Sequence, residues 1–442
     1  MQNPWYPSMR LFWPIRALRL AVAIGQVAGP CAALRSPDVT RNPAGRSQRG
    51  VKWYRLSLHY AFWQISRAEE KSRVILAQRR EQYSAIEEYR HRPLIVYATS
   101  TRPNVPAQMA ADAVREFIDQ IEAVATEAKN VDVLVHSTGG DALTAWKLMS
   151  ILRERFDGVS VLVPFMAFSA ATLFALGADE IIMHPHASLG PIDPQIVIPQ
   201  PGGSPRQFAY EDVGAFLRFL QTDVKVTEQV HVSPVIEKLF TVVDPVHVGA
   251  AKRASELSSS VGERLLLMHM SGSEEKGKAR QIAENLNKSF FAHGDAVSRK
   301  RATELQLKIA NEDTELSKLI WNVYLGLESY MDFRRPFHPL QHYLADPNGA
   351  AALQPPAPVV IPPNAPPGVA QAVWNGVANQ AVQNLTGQTA VEVEYSLVNA
   401  VVESVRVASE YRTDGKLIAF RNMNGEVQIS ATDTQAGWRT VQ

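Results

Sequence analysis

The sequence predicts an α/β domain built on a parallel sheet, with a helical arm before it and a small appendage after it. Two observations carry that class. From residue 93 onward, short apolar runs alternate with amphipathic helical stretches, the pattern of strands joined by right-handed crossover helices. A proline-rich stretch, 354–368, then sets this region apart from a tail with its own hairpin signal. The expected organisation is an irregular or targeting segment over 1–50 and a basic helical arm over 51–92. A catalytic-type α/β domain over 93–338, a Pro-rich linker over 339–368 and the appendage over 369–442 follow.

The arm is expected to be helical because 52–90 contains no Pro or Gly and places Tyr54, Leu58, Phe62, Ile65 and Ile75 near helical spacing. Such a helix would suit packing against a partner subunit. Leu94–Tyr97 is the first short buried strand. Residues 107–128 form an amphipathic helix with Val114, Phe117, Ile118, Ile121 and Val124 on one face. Val131–Val135 is the second strand, and a helix runs from Ala142 to about Phe156. Val159–Val163 is the third strand, an Ala-rich helix starts near Ser169, and Glu180–Met183 is the fourth. Residues 205–290 read as mostly helical, 298–307 as a short helix, and Lys308-Ile309 as the start of a last strand. In the tail, Leu417–Phe420 and Glu426–Ile429 flank Asn424-Gly425, a hairpin turn pair.

Composition bounds the function. With 442 residues, 46% hydrophobic and 20% charged, the chain is globular in type, with room for two or three domains. The net charge of +1 conceals an asymmetry: residues 1–92 hold 16 Lys+Arg against 6 Asp+Glu, so the rest sums to −9. A basic arm on an acidic body suits peripheral contact with an anionic membrane surface, and specific nucleic-acid binding is not expected. Cys31 is the only cysteine, which excludes an intrachain disulfide and a thiolate metal site and fits a reducing, cytoplasmic setting. The apolar run Leu20–Leu34 includes Gly25, Gln26, Gly29 and Pro30. It is shorter than the about 20 apolar residues a spanning helix needs, but has the length and basic flank of a signal-type core. Membrane association through this segment is the alternative location. His184-Pro185-His186 lacks further ligands to make a metal centre, and Gly139-Gly140 lacks the lysine and spacing of a phosphate loop, so no metal and no cofactor is expected.

Two turns carry the chemistry. Ser137-Thr138-Gly139-Gly140 follows the second strand, and adjacent glycines let backbone N–H groups face outward as an anion cradle. Met166-Ala167-Phe168-Ser169-Ala170-Ala171-Thr172 follows the third strand and puts a serine hydroxyl at a helix N-terminus. Either alone has a plain explanation, as a packing turn or a helix cap. Together they lie on one edge of a parallel sheet, where such folds build sites. Acyl transfer needs a nucleophile and two N–H donors converging on one oxygen. Ser169, the N–H of Ala170 and that of Gly139 or Gly140 are placed to supply them.

These runs, with Gly177-Ala178-Asp179-Glu180-Ile181-Ile182-Met183 and Leu189-Gly190-Pro191-Ile192-Asp193-Pro194-Gln195, resemble in order and spacing the serine dehydrogenase proteinase family. That family groups Clp-fold serine proteases related to the Clp protease subunit and to signal peptide peptidase A. Phe291-Ala292-His293-Gly294 with Ala302-Thr303-Glu304-Leu305 resembles its closing His-containing turn and helix, and the resemblance covers roughly 93–310. It implies a Clp/crotonase-like sheet, a nucleophile at Ser169, an oxyanion hole from Gly139/Gly140 and Ala170, a peptide or protein substrate and a homo-oligomer. Members often carry Gly where this chain has Ala171, whose methyl would crowd an acyl pocket.

A serine hydroxyl needs a proton acceptor. The resemblance leaves two arrangements: His293 as the base with Asp193 orienting its imidazole, or a Ser–Lys dyad with Lys252, which would have to be desolvated. The reading is a serine peptidase acting through an acyl-enzyme. The alternatives are a crotonase-like acyl-CoA enzyme, which would use the cradle without Ser169, and an inactive interaction protein on the same fold.

Overall fold

The computed structural model of the protein describes residues 75–198, 206–288, 295–311, 313–354, 391–421 and 426–441, with short pieces between 364 and 376. The expected segment 1–50, the arm up to residue 74, His293 and the Asn424-Gly425 turn lie outside the described residues.

Four parallel strands form the centre: β1 (Leu94–Thr99), β2 (Asn130–His136), β3 (Gly158–Val163) and β5 (Glu180–Met183), paired in that order. The helices between them are α2 (Ala113–Glu122), α3 (Ala142–Arg155) and α4 (Ala170–Leu176), as the alternating pattern requires; α1 is the helical stretch 75–90. The expected helix over 107–128 is shorter, because Met109 extends as a bridge beside Gly140. Ile118, expected on its inner face, is exposed.

Alternation along each strand separates two cores. Ile95, Tyr97, Val133, Val135, Val161 and Val163 face α2, α3 and α4, joined by α7 (Pro245–Leu266) and α8 (Ser273–Lys288). Leu94, Val96, Ala98, Leu134 and Leu162 face the other way, onto Tyr83 and Ile86 of α1 and onto α10 (Thr314–Met331). Each fully buried Val, Leu or Ile among them contributes about 1.5–3 kcal/mol. The part of the arm over 75–90, expected to suit a partner subunit, therefore covers its own domain. Leu76, Arg79, Tyr83 and Ile86 recur at helical spacing on its inner face.

The tail is not separate from the sheet. β10 (Glu392–Glu403) pairs antiparallel with β1, and β11 (Ala408–Arg421) and β12 (Val427–Thr440) follow in turn. The described sheet is seven-stranded, in the order β12-β11-β10-β1-β2-β3-β5. The expected hairpin is the β11–β12 pair. α11 (Pro339–Ala345) and α12 (Pro347–Ala352) pack beneath the tail strands through Phe337, Tyr343 and Leu353.

Three short strands make a second sheet that frames the site: β4 (Met166–Ala167), β6 (Ser188–Leu189) and β9 (Val297–Ser298). β7 (Gln195–Ile198) and β8 (Arg206–Ala209) form a hairpin leading to α5 (Tyr210–Arg218) and α6 (Gln229–Phe240), and α9 (Arg299–Glu304) follows β9. Ile309 bridges Ile181, in place of the last strand expected there. At the N-terminal end of the central strands, fully buried Asp132 accepts hydrogen bonds from Arg90 at 2.7 and 3.2 Å. The same guanidinium donates to Glu180 at 2.7 Å. With the buried acid neutralised at that end, the C-terminal edge is left for the site.

Candidate functional site

Ser169 stands between β4 and α4 with φ 52° and ψ −118°, a left-handed conformation that costs a non-glycine residue about 1–3 kcal/mol. It is half-buried, and its side chain makes no capping bond to the helix. A capping serine would accept from the amide two or three residues on; this one does not, so helix capping does not explain it. The turn is held from both sides. Thr172 Oγ1, fully buried, lies 2.7 Å from the Ala167 carbonyl, 2.9 Å from the Gly190 carbonyl and 3.0 Å from the Gly190 amide. The Phe168 ring covers Gly190, where a Cβ would come within 2.8 Å of it.

The glycine turn lies directly against this elbow. A Cβ on Gly139 would lie 2.6 Å from the Ser169 Cβ, 2.7 Å from the Phe168 carbonyl oxygen and 3.1 Å from the Ala170 amide nitrogen. Gly139 and Gly140 have φ of 111° and 153°, which side chains rarely adopt. The Gly139 N–H donates to Ser137 Oγ at 3.0 Å. The Gly139 carbonyl accepts from the Met109 N–H at 2.7 Å, and the Asp141 N–H donates to the Met109 carbonyl at 2.9 Å. A trans peptide points its C=O and N–H in opposite directions, and the described residues contain no cis bond. The Gly140 N–H therefore points away from Met109. Among the described residues neither it nor the Ala170 N–H donates a hydrogen bond.

The candidate bases differ in what surrounds them. Lys252 sits on the outer side of α7, its side chain 56% exposed and its Nζ 3.8 Å from Glu256. The desolvation expected of a lysine base is absent there in the single chain. Asp193 is half-buried in the loop after β6. The preceding residue is pinned, with the Ile192 N–H donating to the Leu286 carbonyl at 3.0 Å and the Ile192 carbonyl accepting from Ser258. Ala171 is fully buried among the α4 core residues.

Three histidines near the strand ends have structural surroundings. His136 ends β2 on the opposite face from Ser169, fully buried among Phe165, Tyr324 and Phe333. Burial lowers its pKa to about 3. His184 stacks on Trp321 at 4.7 Å and its Nδ1 accepts the His186 N–H at 3.2 Å. Burial first, then His186 and Arg299, lower the His184 pKa to about 4. Sequence reasoning missed Thr99 and Met109, which have no motif and matter only through pairing to the glycine turn. Among the described residues no three His, Cys, Asp or Glu side chains gather as a metal centre would, and no helix is long and apolar enough to cross a membrane.

Two uncharacterized proteins of Methanocaldococcus jannaschii are 42% identical over 66 residues and 41% identical over 81 residues, 15% and 18% of this chain. These matches cover 23% and 28% of those proteins, so the chain spans about a quarter of the length of the curated relatives it matches. Among solved structures, one mutant form of the 1510-N membrane-bound stomatin-specific protease is similar at 17% identity and a TM-score of 0.31, over 52% of this chain and 84% of that one. A second mutant form, in complex with a substrate peptide, is similar at 16% identity and a TM-score of 0.31, over 51% and 77%. ClpP1 from Listeria monocytogenes is similar at 13% identity and a TM-score of 0.28, over 50% and 94%. The family model of the ClpP-like SDH-type serine proteinase matches residues 108–205, which hold the glycine turn, the Ser169 elbow and the Leu189–Gln195 run. Over residues 108–205 this chain is similar to the ClpP-like SDH-type serine proteinase family.

Proposed function

We propose that the protein hydrolyses peptide bonds through an acyl-enzyme at Ser169. The observation that carries this reading is the contact of the glycine turn with the serine elbow, where Gly139 lies too close to Ser169 and Ala170 to admit even a methyl group. The Ser169 Oγ attacks the scissile carbonyl and gives its proton to the base. The carbonyl oxygen becomes an oxyanion held by the N–H groups of Gly140 and Ala170, neither of which donates a hydrogen bond among the described residues. Collapse breaks the C–N bond, and the base returns the proton to the leaving amine. Water then attacks the acyl-enzyme, losing its proton to the same base, and Ser169 leaves with the proton restored.

The proposed base is His293 oriented by Asp193; the exposed position of Lys252 argues against the lysine alternative. Peptide or protein chains are the proposed substrates, and a homo-oligomer the proposed state. Ser169→Ala is expected to abolish labelling by a fluorophosphonate and turnover of peptide substrates, with unchanged melting. A variant that still cleaves peptides would overturn the assignment. Retained turnover of an acyl-CoA thioester would point to the crotonase-like alternative.

A further inference from the structure

We propose that Ser137 is a positioning residue that selects which glycine amide faces the substrate, with Thr99 fixing its hydroxyl. This rests on the reading of Ser169 as nucleophile. Thr99 is fully buried on β1 and Ser137 is fully buried just past the end of β2. The Thr99 hydroxyl donates to Ser137 Oγ at 2.8 Å, and the Gly139 N–H donates to the same oxygen at 3.0 Å. Both lone pairs of that oxygen are thereby filled.

Two consequences follow from the chemistry of the turn. The Gly139 amide has its acceptor before any substrate arrives, so recruiting it to an oxyanion would break one hydrogen bond to form another. The Gly140 amide has no such bond and gains its full strength in the transition state, which is the condition for a catalytic donor. The main chain of Ser137 then ties this choice to the nucleophile. Its N–H donates to the Met166 carbonyl at 3.1 Å, and its carbonyl accepts from the Phe168 N–H at 3.0 Å, one residue before Ser169. One residue sets both the orientation of the donor turn and its register against the elbow.

The test uses the full chain. Residue-resolved amide exchange of the wild-type protein is expected to show Gly139 slow and Gly140 fast, and Ser137→Ala is expected to make Gly139 fast. The same variant is expected to lower the rate of fluorophosphonate labelling and the kcat for a peptide on the order of tenfold to a hundredfold, as a displaced donor does, with KM little changed. Thr99→Val keeps shape and removes the donor to Ser137; it should lower labelling in the same sense, and Thr99→Ser should restore it. A merely structural role would shift melting in all these variants without splitting kcat from KM. Equal exchange at the two glycines, or Ser137→Ala labelling at the wild-type rate, overturns the proposal. Wild-type protein that shows the exchange contrast but takes up no fluorophosphonate overturns the hydrolase reading instead, and confirms the selection of the free amide as a feature of the fold.

Discussion

At the scale of single residues, the candidate site is defined by what its groups are not bonded to. Ser169 sits at a helix start without capping it, and among the described residues the Gly140 and Ala170 amides donate no hydrogen bond. Sequence put Ser169 and the glycine pair forward only because the two turns fall on one edge of a parallel sheet, since either alone reads as a packing turn or a helix cap. It left Gly139 and Gly140 equivalent. Their difference depends on Ser137 Oγ, and therefore on a Thr99 that lies 38 residues away in the chain. His136 is another residue whose state only the fold reveals. Unfolded, its imidazole takes a proton near pH 6.5; folded, burial holds it neutral down to about pH 3. Its contribution is complete above pH 6.5 and is lost as pH falls toward 3, because only the unfolded chain gains a proton in that window. Urea unfolding is expected to lose about 1.5–2 kcal/mol from this group between pH 6.5 and 5, and His136→Phe is expected to flatten that part of the slope. An unchanged slope would show that other groups dominate.

At the scale of elements, the strands were the most legible feature and their partners the least. Apolar runs at 94, 131, 159 and 180 became β1, β2, β3 and β5 because each is buried on both faces, which leaves no polar alternation to confuse them. The two-residue strands β4, β6 and β9 carry no periodic signal, yet they hold the elbow in place. Thr172 shows how. It links the first turn of α4 to Gly190, three residues before Asp193, and its hydroxyl meets Gly190 through both the amide and the carbonyl. Thr172→Val keeps the volume and strands these buried groups, which costs about 1–3 kcal/mol. Melting and turnover should fall together in this variant, while Thr172→Ser should retain both; normal turnover in Thr172→Val would mean that the elbow holds its shape without the tie.

At the scale of the whole molecule, the proline-rich stretch suggested a detached tail, but β10 lies beside β1 at the middle of the sheet. Sequence could not show this, since nothing local in residues 392–403 names a partner some three hundred residues earlier. The join is sealed by a buried ion pair. Arg79 of α1 donates to Glu403 of β10 at 2.9 and 2.6 Å, and the Tyr83 hydroxyl donates to the same carboxylate at 2.7 Å. Burial by itself would weaken the charge on Arg79, and the carboxylate beside it more than reverses that. Glu403→Ala leaves a cation buried without its partner and is expected to cost about 3–5 kcal/mol in denaturant unfolding. Replacing the pair together, as Arg79→Met with Glu403→Leu, should recover most of that loss. If the double variant is no better than the single one, the pair contributes attraction of its own beyond covering a charge.

The insertion of β10 has a consequence for how the protein is made. Arg79 and Glu403 are 324 residues apart, so when β1 leaves the ribosome the neighbour on one of its sides has not been synthesised. A contact of such long range forms late and slowly. Until then the nascent chain presents an open strand edge beside an unpaired arginine, a state that calls for a chaperone's protection. The strand that bears Thr99 thus gains its final neighbour only after some three hundred further residues have been made, and until then the turn beside Ser137 lacks the completed sheet that flanks it.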